Sequence, residues 1–131
     1  MGSFNLKVVT LDGVIFDGQV ENLVARTSVG DVCILEKHID YVAPIELGKV
    51  KIKTVDSGEK IGACSGGFLS VSDSNARIVA TTFEFAENID KDRAQAAKEK
   101  AEEKLKNDKN SKIAEIKLKK ALLRLDVSQN K

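Results

Sequence analysis

The chain has 131 residues, of which 42% are hydrophobic, and its 21 basic residues nearly balance its 20 acidic ones. No segment approaches the roughly 20 consecutive apolar residues that a membrane-spanning helix needs, so direct membrane insertion is not expected. One histidine and two cysteines outside any CxxC pair argue against a disulfide framework and against a metal site.

Composition divides the chain in two. Residues 1–88 contain eight basic and twelve acidic residues, a formal charge of −4. Residues 89–131 contain thirteen basic and eight acidic residues, a formal charge of +5. Glycine and proline are confined to the first part, and no aromatic residue follows Phe85. We therefore predict two domains, residues 1–87 and residues 88–131.

The first part has the pattern of short β-strands. Apolar and polar residues alternate over residues 4–8 and 50–53, as expected for half-buried antiparallel strands with one solvated face. Clusters of Asp, Ser, Asn and Gly, which favour turns, separate these from further β-branched or apolar runs. No helical segment intervenes to allow parallel crossovers, so the pattern predicts a β-sandwich or a small barrel. The further runs are 14–16, 23–27, 32–35, 67–71 and 77–83.

Bulky apolar residues and cysteines within these runs are the candidates for the core. Both cysteines are more simply interpreted as small buried apolar residues than as reactive thiols. We therefore expect the core to contain Phe4, Phe16, Phe68, Phe83, Cys33 and Cys64.

The second part is predicted to form two helices. Residues 90–106 are nearly all strong helix formers, and Asp90 can cap their start by accepting bonds from free backbone N–H groups. Residues 107–110 break the pattern, after which Ser111 can cap a second helix that continues to about Leu125. Because this connection is short, the two helices should be antiparallel neighbours.

Apolar residues recur at helical spacing in both predicted helices, but the first stripe is thin. Alanine lets helices approach closely yet buries little area, and burial is worth about 25 cal/mol per Å². We therefore expect a weak interface that can be exchanged for another one. The first stripe consists of Ala94, Ala97, Ala101 and Leu105, and the second helix carries Ile113, Ile116, Leu118, Leu122, Leu123 and Leu125.

Enzyme motifs are absent from the sequence. The spacings of a phosphate-binding loop, of GxGxxG and of GxSxG are not found. His38 has no nucleophile nearby in sequence to serve as a general base, which favours a structural or interface role. The basic second part could contact nucleic acid, but acidic residues interleave throughout it and no aromatic residue is available to stack on bases. We expect neither catalysis nor nucleic-acid binding.

Three segments resemble motifs of one known family, the epsilon subunits of F-type ATP synthases. Residues 30–38 are similar to the family's Gly-acidic-x-x-Ile-Leu-Pro-x-His turn, with Glu36 in place of the proline. Residues 65–71 resemble its Ser-Gly-Gly-Phe/Ile-x-x-Val run, and residues 89–94 match the Ile/Leu-Asp-x-x-Arg-Ala motif that opens the first C-terminal helix. The order and spacing of these segments extend the resemblance over essentially the whole chain.

The resemblance implies an antiparallel β-sandwich of about ten strands, followed by a C-terminal antiparallel α-helical hairpin. It also implies a rotor subunit of the central stalk, which couples ion translocation to ATP synthesis and regulates ATP hydrolysis without contributing a catalytic group. The implied partners are the gamma subunit, the c-ring and the catalytic beta subunits, in a peripheral position at the cytoplasmic face of the cell membrane. Asp31 and His38 correspond to the end of the sandwich that faces the ring and gamma, although Asp31 could equally be a solvated turn residue.

The resemblance further implies ATP as a regulatory ligand of the hairpin, with no cofactor required. Free N–H groups at a helix start favour an anion, and antiparallel helices can bring cations from both around one triphosphate. Lys100 and Lys120 stand where tighter binders carry Arg, so the affinity should be modest. The alternative is that Asp90 only caps the helix and the cations are solvated. The implied ATP-binding residues are Glu84, Ile89, Asp90, Arg93, Ala94, Lys100, Lys120 and Arg124.

A function of a different class is also compatible with the residues alone. A free-standing adaptor could bind one partner through its β-sandwich and dock its basic hairpin on an acidic partner. Only the ATP synthase interpretation requires a stable complex with a gamma subunit, so that complex distinguishes the two.

Overall fold

The computed structural model describes residues 2–37 and 39–129. Within these residues, nine strands precede two α-helices, and a 3-10 turn at Ala86–Asn88 lies between them. The chain divides between Glu84 and Phe85 into two compact units. The strands are β1 (Phe4–Thr10), β2 (Gly13–Thr27), β3 (Gly30–Leu35), β4 (Tyr41–Ile45), β5 (Gly48–Thr54), β6 (Glu59–Cys64), β7 (Gly67–Ser72), β8 (Asn75–Ala80) and β9 (Phe83–Phe85), and the helices are α1 (Lys91–Asn107) and α2 (Lys112–Ser128).

The longest strand, β2, joins two groups of strands. Its N-terminal half pairs with β1, and its C-terminal half lies between β3 and β5. The pairing with β5 shifts register between Val20 and Asn22, as a β-bulge does where a strand bends. The strand order is β1-β8-β7-β4-β2-β5-β6-β9, and β2 is the strand that belongs to both groups. The predicted β-sandwich is confirmed.

One pairing departs from the antiparallel prediction, because β1 and β8 run parallel. Parallel neighbours need a long connection between them. Here the six strands from β2 to β7 provide that connection without a crossover helix. The sequence pattern of alternating short strands gave no sign of this pairing.

The interior of the sandwich follows the period-two pattern. Alternate residues of β1 and β5 are fully buried, as the alternation predicted. Phe4 and Phe83 are buried as well, so these two core predictions are confirmed. The fully buried residues of the two alternating strands are Leu6, Val8, Val50 and Ile52.

Three of the predicted core residues are not in the core. Phe68 is 59% exposed, because its neighbour Leu69 takes the inward position on β7. Cys33 is exposed for the same reason, since Ile34 is the inward residue of β3. Phe16 is only half-buried. In a strand, adjacent side chains point to opposite faces, so where one face of the sheet is solvated only one residue of such a pair is interior.

Cys64, at the end of β6, is buried as predicted. Its Sγ lies 3.7 Å from the carbonyl oxygen of Gly66. Burial raises the pKa of the Cys64 thiol, because the thiolate would lose its hydration. The thiol is therefore the favoured form in the folded domain.

Gly62 permits a close contact between β6 and the aromatic ring of Phe83. A Cβ atom at Gly62 would lie only 2.5 Å from Cε1 and Cζ of that ring. Any larger side chain there would displace Phe83 or the strand, so the packing of β6 against Phe83 depends on this glycine.

The helical hairpin begins with both predicted caps in place. The Asp90 carboxylate accepts a hydrogen bond from the backbone N–H of Arg93, and the Ser111 hydroxyl accepts one from Ala114. These bonds satisfy N–H groups that have no partner inside the helix. The predicted antiparallel hairpin is confirmed, with α1 and α2 packed on each other.

The buried seam of the hairpin differs from the predicted one on both helices. On α2, Ile113, Ile116 and Leu122 are 63%, 51% and 45% exposed, so these predicted positions lie outside the seam. Ala94 and Ala101 of α1 are buried, but Ala97 is exposed and Lys98 is half-buried in its stead. Residues 94, 98, 101 and 105 repeat at alternating spacings of four and three, which follows one helix face more closely than the predicted set. Leu105 is half-buried. The α2 side of the seam consists of Ala114, Leu118, Ala121, Leu125 and Ser128.

Candidate functional site

The start of α1 contains the Ile/Leu-Asp-x-x-Arg-Ala segment, and its residues have different tasks. Ile89 and Ala94 are buried and serve packing. Asp90 caps the helix, with its Oδ1 3.1 Å from the backbone nitrogen of Arg93. The backbone carbonyl of Asp90 also accepts the first helical bond, from Ala94 at 3.0 Å. The side chain of Arg93 is exposed and available to a ligand, as are those of Lys91 and Asp92 at the two x positions of the motif.

Cations line one side of α1. Arg93 and Lys100 are seven residues apart, so they lie on the same side of the helix about two turns from each other. Lys104 continues this line by a further turn, and the exposed Ala97 leaves a gap between Arg93 and Lys100. Within residues 85–129, the side chains of Arg93 and Lys100 make no hydrogen bond or ion pair.

A matching line of cations lies on α2. Lys117, Lys120 and Arg124 are spaced by three and four residues and share one side of that helix. Lys120 is half-buried, and so is Arg124, whose Nε atom is shielded from solvent. A similar line therefore runs beside the seam on each helix.

The two lines lie on the same side of the hairpin. Two antiparallel helices that share a seam are related by a two-fold axis perpendicular to their plane, and this axis carries the line on α1 onto the line on α2. The predicted ligands Arg93, Lys100, Lys120 and Arg124 are thus brought to one surface. We call this surface the cationic flank, and it consists of Arg93, Lys100, Lys104, Lys117, Lys120 and Arg124.

Carboxylates lie on the opposite side of the hairpin. By the same helical spacing, Glu99 and Glu102 of α1 and Glu115 and Asp126 of α2 fall on the other flank. The ion pair between Lys119 and Glu115, at 3.5 Å, belongs to that side. Lysines such as Lys106 and Lys119 interleave with these carboxylates, whereas the cationic flank contains no carboxylate among the described residues. The result is a surface suited to a polyanion.

The other predicted site residues belong to the first unit. Glu84 is a half-buried residue of β9, at the end of that unit. Asp31 lies on β3, where its Oδ1 is 3.2 Å from Nε of Arg26 on β2. Both side chains of this ion pair are exposed. His38 lies outside the residues that the structure describes.

The sequence interpretation missed an exposed apolar row on the sandwich. Cross-strand register places Phe68 of β7 opposite Pro44 of β4 on one side and opposite Val79 of β8 on the other. Val79 in turn pairs with Val9 of β1, which pairs with Val14 of β2. Phe68, Val79 and Val14 are 59%, 50% and 57% exposed. We call these five residues the apolar row.

A contiguous exposed row of this kind differs from scattered surface apolar residues, which are common and need no explanation. The available signal in the sequence was alternation: once Leu69 is assigned to the core, Phe68 must face outward. The apolar row is a candidate docking surface for another protein.

Across residues 2–37 and 39–129, no cluster of His, Cys, Asp and Glu side chains is arranged to hold a metal ion. Neither helix in the same ranges is long and apolar enough to span a bilayer.

Two family models cover nearly the whole chain. The beta-sandwich domain of the ATP synthase delta/epsilon chain matches residues 3–86, and its long alpha-helix domain matches residues 87–129. The chain belongs to the ATP synthase delta/epsilon chain family. Within that family it is an epsilon subunit of an F-type ATP synthase, a component of the central stalk.

Curated relatives match over their full length. The ATP synthase epsilon chain of an Exiguobacterium species is 39% identical, covering 100% of this chain and 99% of the relative. That of Bacillus velezensis is 41% identical and covers 99% and 100%. The adaptor alternative is therefore not favoured.

Solved structures show the same fold. A chain of the Euglena gracilis mitochondrial ATP synthase has a TM-score of 0.75 at 21% identity, covering 99% of this chain and 81% of that one. A chain from the central stalk and c-ring of the Tetrahymena thermophila mitochondrial ATP synthase has a TM-score of 0.55 at 16% identity, covering 96% and 93%.

Proposed function

We propose that the chain is a non-catalytic rotor subunit that couples ion translocation to ATP synthesis and regulates ATP hydrolysis through its C-terminal helices. The observation that carries this proposal is the contrast between the two units. The sandwich has a fully buried apolar core and an exposed apolar row, which suits permanent docking. The hairpin has an alanine-rich seam and a cationic flank, which suits a reversible contact. We propose residues 1–87 and 88–131 as the two functional domains.

The proposed partner of the apolar row is the gamma subunit. Exposed apolar side chains across neighbouring strands provide area whose burial stabilises a complex, at about 25 cal/mol per Å². A Phe68→Ser change should therefore weaken the complex with purified gamma in size-exclusion chromatography. Val55→Ser is the matched control, because Val55 is 49% exposed in the β5–β6 turn and lies outside both the row and the β2–β3 end.

The end of the sandwich that contains the β2–β3 turn is proposed to face the c-ring and gamma. Asp31 is exposed there, and within the described chain its side chain bonds only to Arg26. With His38, Asp31 is the predicted contact of this end. The chain would then lie peripherally at the cytoplasmic face of the cell membrane, held by the complex.

The cationic flank is proposed to bind acidic segments of the catalytic beta subunits when the hairpin leaves its folded state. Attraction between opposite charges weakens as salt increases, because the Debye length falls from about 10 Å at 0.1 M to about 3 Å at 1 M. A seam in which four of nine residues are alanine buries little apolar area and keeps the folded and extended forms within a few kcal/mol, as a switch requires.

Regulatory ATP is the proposed small ligand of the same flank, and no cofactor is required. Arg93 can bind a phosphate through two N–H groups, and Lys100, Lys120 and Arg124 add charge around it. Arg93→Ala should weaken ATP binding by roughly 1.5–3 kcal/mol in isothermal titration. The control Lys106→Ala removes the same charge from the opposite flank and should leave the affinity within twofold.

Deletion of residues 88–131 tests the regulatory proposal. We expect the remaining β domain to fold and to bind gamma, and the assembled complex to hydrolyse ATP faster than with the intact chain. If the truncated complex hydrolyses ATP no faster, the hairpin is not inhibitory. If the intact chain forms no stable gamma complex, the proposed place in the stalk is wrong.

A further inference from the structure

A second cationic surface lies on the sandwich, on strands other than those that form most of the apolar row. A groove of about 490 Å³ opens on the outward side of β2, β3 and β5. It is lined by Val24, Arg26, Asp31, Leu47, Lys49 and Lys51. The proposed functions of the hairpin and of the apolar row do not use this groove.

Strand register holds the three cations of the groove together. Arg26 is the direct cross-strand partner of Asp31, and Lys51 is the partner of Val24 on the other side of β2. Lys49 and Lys51 are alternate residues of β5, so they share its outward side at about 6.6 Å spacing. Three cations from two strands are thus arranged around one opening.

Two features keep Arg26 in a position to bind a ligand. Asp31 contacts it through Nε alone, at 3.2 Å, which leaves both terminal amino groups for another oxyanion. Gly48 lies against its side chain, and a Cβ atom there would be 3.3 Å from Cβ of Arg26. The absence of a side chain at Gly48 gives Arg26 its space at the rim.

The groove has the electrostatics of an anion site. Three cations and one carboxylate give it a formal charge of +2. The ammonium of Lys51 has no partner within the described part of the sandwich. Val24 and Leu47 form an apolar part of the groove lining, and the exposed Leu35 lies farther along β3. A small soluble anion would leave that apolar surface unused, whereas an amphiphile would cover it.

We propose that this groove binds the phosphate head group of an anionic phospholipid. The proposal rests on the proposed function, because Asp31 lines the groove and is also the residue proposed to face the ring, next to the membrane surface. Basic residues close to an anionic leaflet contribute about 1 kcal/mol each, which corresponds to a roughly fivefold change in partitioning. The groove would orient the sandwich against the membrane in addition to its protein contacts.

Vesicle co-sedimentation of the full chain tests the proposal. Phosphatidylcholine vesicles with and without phosphatidylglycerol are the probes, and Lys51→Gln is compared with Lys53→Gln. The two lysines lie on the same side of β5, but Lys53 lies outside the groove and pairs with Glu21 at 3.2 Å. We expect Lys51→Gln to reduce partitioning to anionic vesicles about fivefold, and Lys53→Gln to change it less than twofold.

Cationic residues of the hairpin add a background that both variants share. Equal losses in the two variants would therefore show a diffuse charge effect and would overturn the groove as the site. So would an absence of any preference for anionic over neutral vesicles.

A fluorophore on Cys33 gives a second, local measurement. Cys33 is exposed and is the cross-strand partner of Val24 in the groove wall, whereas Cys64 is buried and should not react. Anionic vesicles should shift the emission of an environment-sensitive label to shorter wavelength, and Gly48→Val, which crowds Arg26, should reduce the shift. An equal shift with inorganic phosphate alone would overturn the lipid assignment. Gamma binding, measured separately, depends on the apolar row, so loss of lipid binding with gamma binding intact overturns only this proposal.

Discussion

The carboxylate of Asp90 accepts a hydrogen bond from the backbone N–H of Arg93 at 3.1 Å. One residue of the predicted ATP motif thereby fixes the backbone of another, and the guanidinium of Arg93 remains free. The capping role of Asp90 and its proposed role toward a nucleotide can be separated, because a hydroxyl can cap a helix but carries no charge.

Asp90→Ser and Asp90→Ala should therefore differ. The alanine variant should lower the free energy of unfolding by about 1 kcal/mol, because the N–H of Arg93 loses its acceptor, while the serine variant should stay within a few tenths. Urea unfolding followed by circular dichroism at 222 nm measures this. Isothermal titration with ATP then decides the ligand role: if serine retains full affinity, the carboxylate only caps.

Lys98 occupies a half-buried place in a seam that otherwise consists of alanine, leucine and serine. Lys98→Leu should stabilise the folded hairpin by about 1 kcal/mol, since an apolar side chain replaces a charged one at a packed position. Thermal unfolding should show a higher midpoint. The matched change Lys100→Leu, on the exposed flank, should leave the midpoint nearly unchanged. Equal effects would mean that helix propensity, and not the seam, is responsible.

Gly62→Ala should destabilise the sandwich. The added Cβ would lie 2.5 Å from the Phe83 ring, and relieving such an overlap costs about 1–3 kcal/mol. Gly18→Ala is the control, because its Cβ would meet the Phe16 ring at 3.4 Å, an ordinary contact. Chemical unfolding of both variants tests the difference. A stable Gly62→Ala protein would show that the Phe83 ring moves aside easily.

The two cysteines should differ in reactivity. Iodoacetamide should modify Cys33 in the native protein, while Cys64 should react only after unfolding. Mass spectrometry of the labelled peptides distinguishes them. Rapid labelling of both would show that β6 opens readily.

The raised pKa of the Cys64 thiol also predicts a pH dependence of stability. Above the ordinary thiol pKa of about 8.5, the unfolded chain releases this proton while the folded chain retains it. Stability should therefore be complete below that pH and fall as the pH rises above it. The decrease should be smaller in Cys64→Ala, measured as the change in unfolding midpoint between neutral and alkaline pH.

The features that could be predicted from the sequence depend on neighbours along the chain. The caps at Asp90 and Ser111 involve N–H groups three residues ahead, and the alternation in β1 and β5 fixes one face of each strand. The family motifs predicted in addition that the β-sandwich precedes the helical hairpin. Together they gave the β-sandwich and the antiparallel hairpin.

The features that were missed depend on contacts between distant segments. Alternation states that Phe68 and Leu69 face opposite ways, but only the pairing of Leu69 with Ile78 selects which one is buried. No strand was predicted over residues 41–45, yet β4 pairs with β7 along its whole length. In α1, the alanines are spread over more than one face of the helix. The sequence alone therefore could not decide whether Ala97 or Lys98 faces the seam, because that depends on where α2 packs.

The separation of charge across the hairpin has a mechanical consequence. With three cations from each helix and no carboxylate on one broad side, and carboxylates mixed with lysines on the other, the closed hairpin carries an electric moment perpendicular to its plane. An acidic surface exerts a torque on the closed hairpin. The favoured orientation places the cationic flank, and so both helices, against that surface. If the two helices separated, each would carry three of the six cations and could rotate about its own axis independently. A flat acidic surface therefore selects the closed hairpin, whereas a narrow acidic cleft selects the open one.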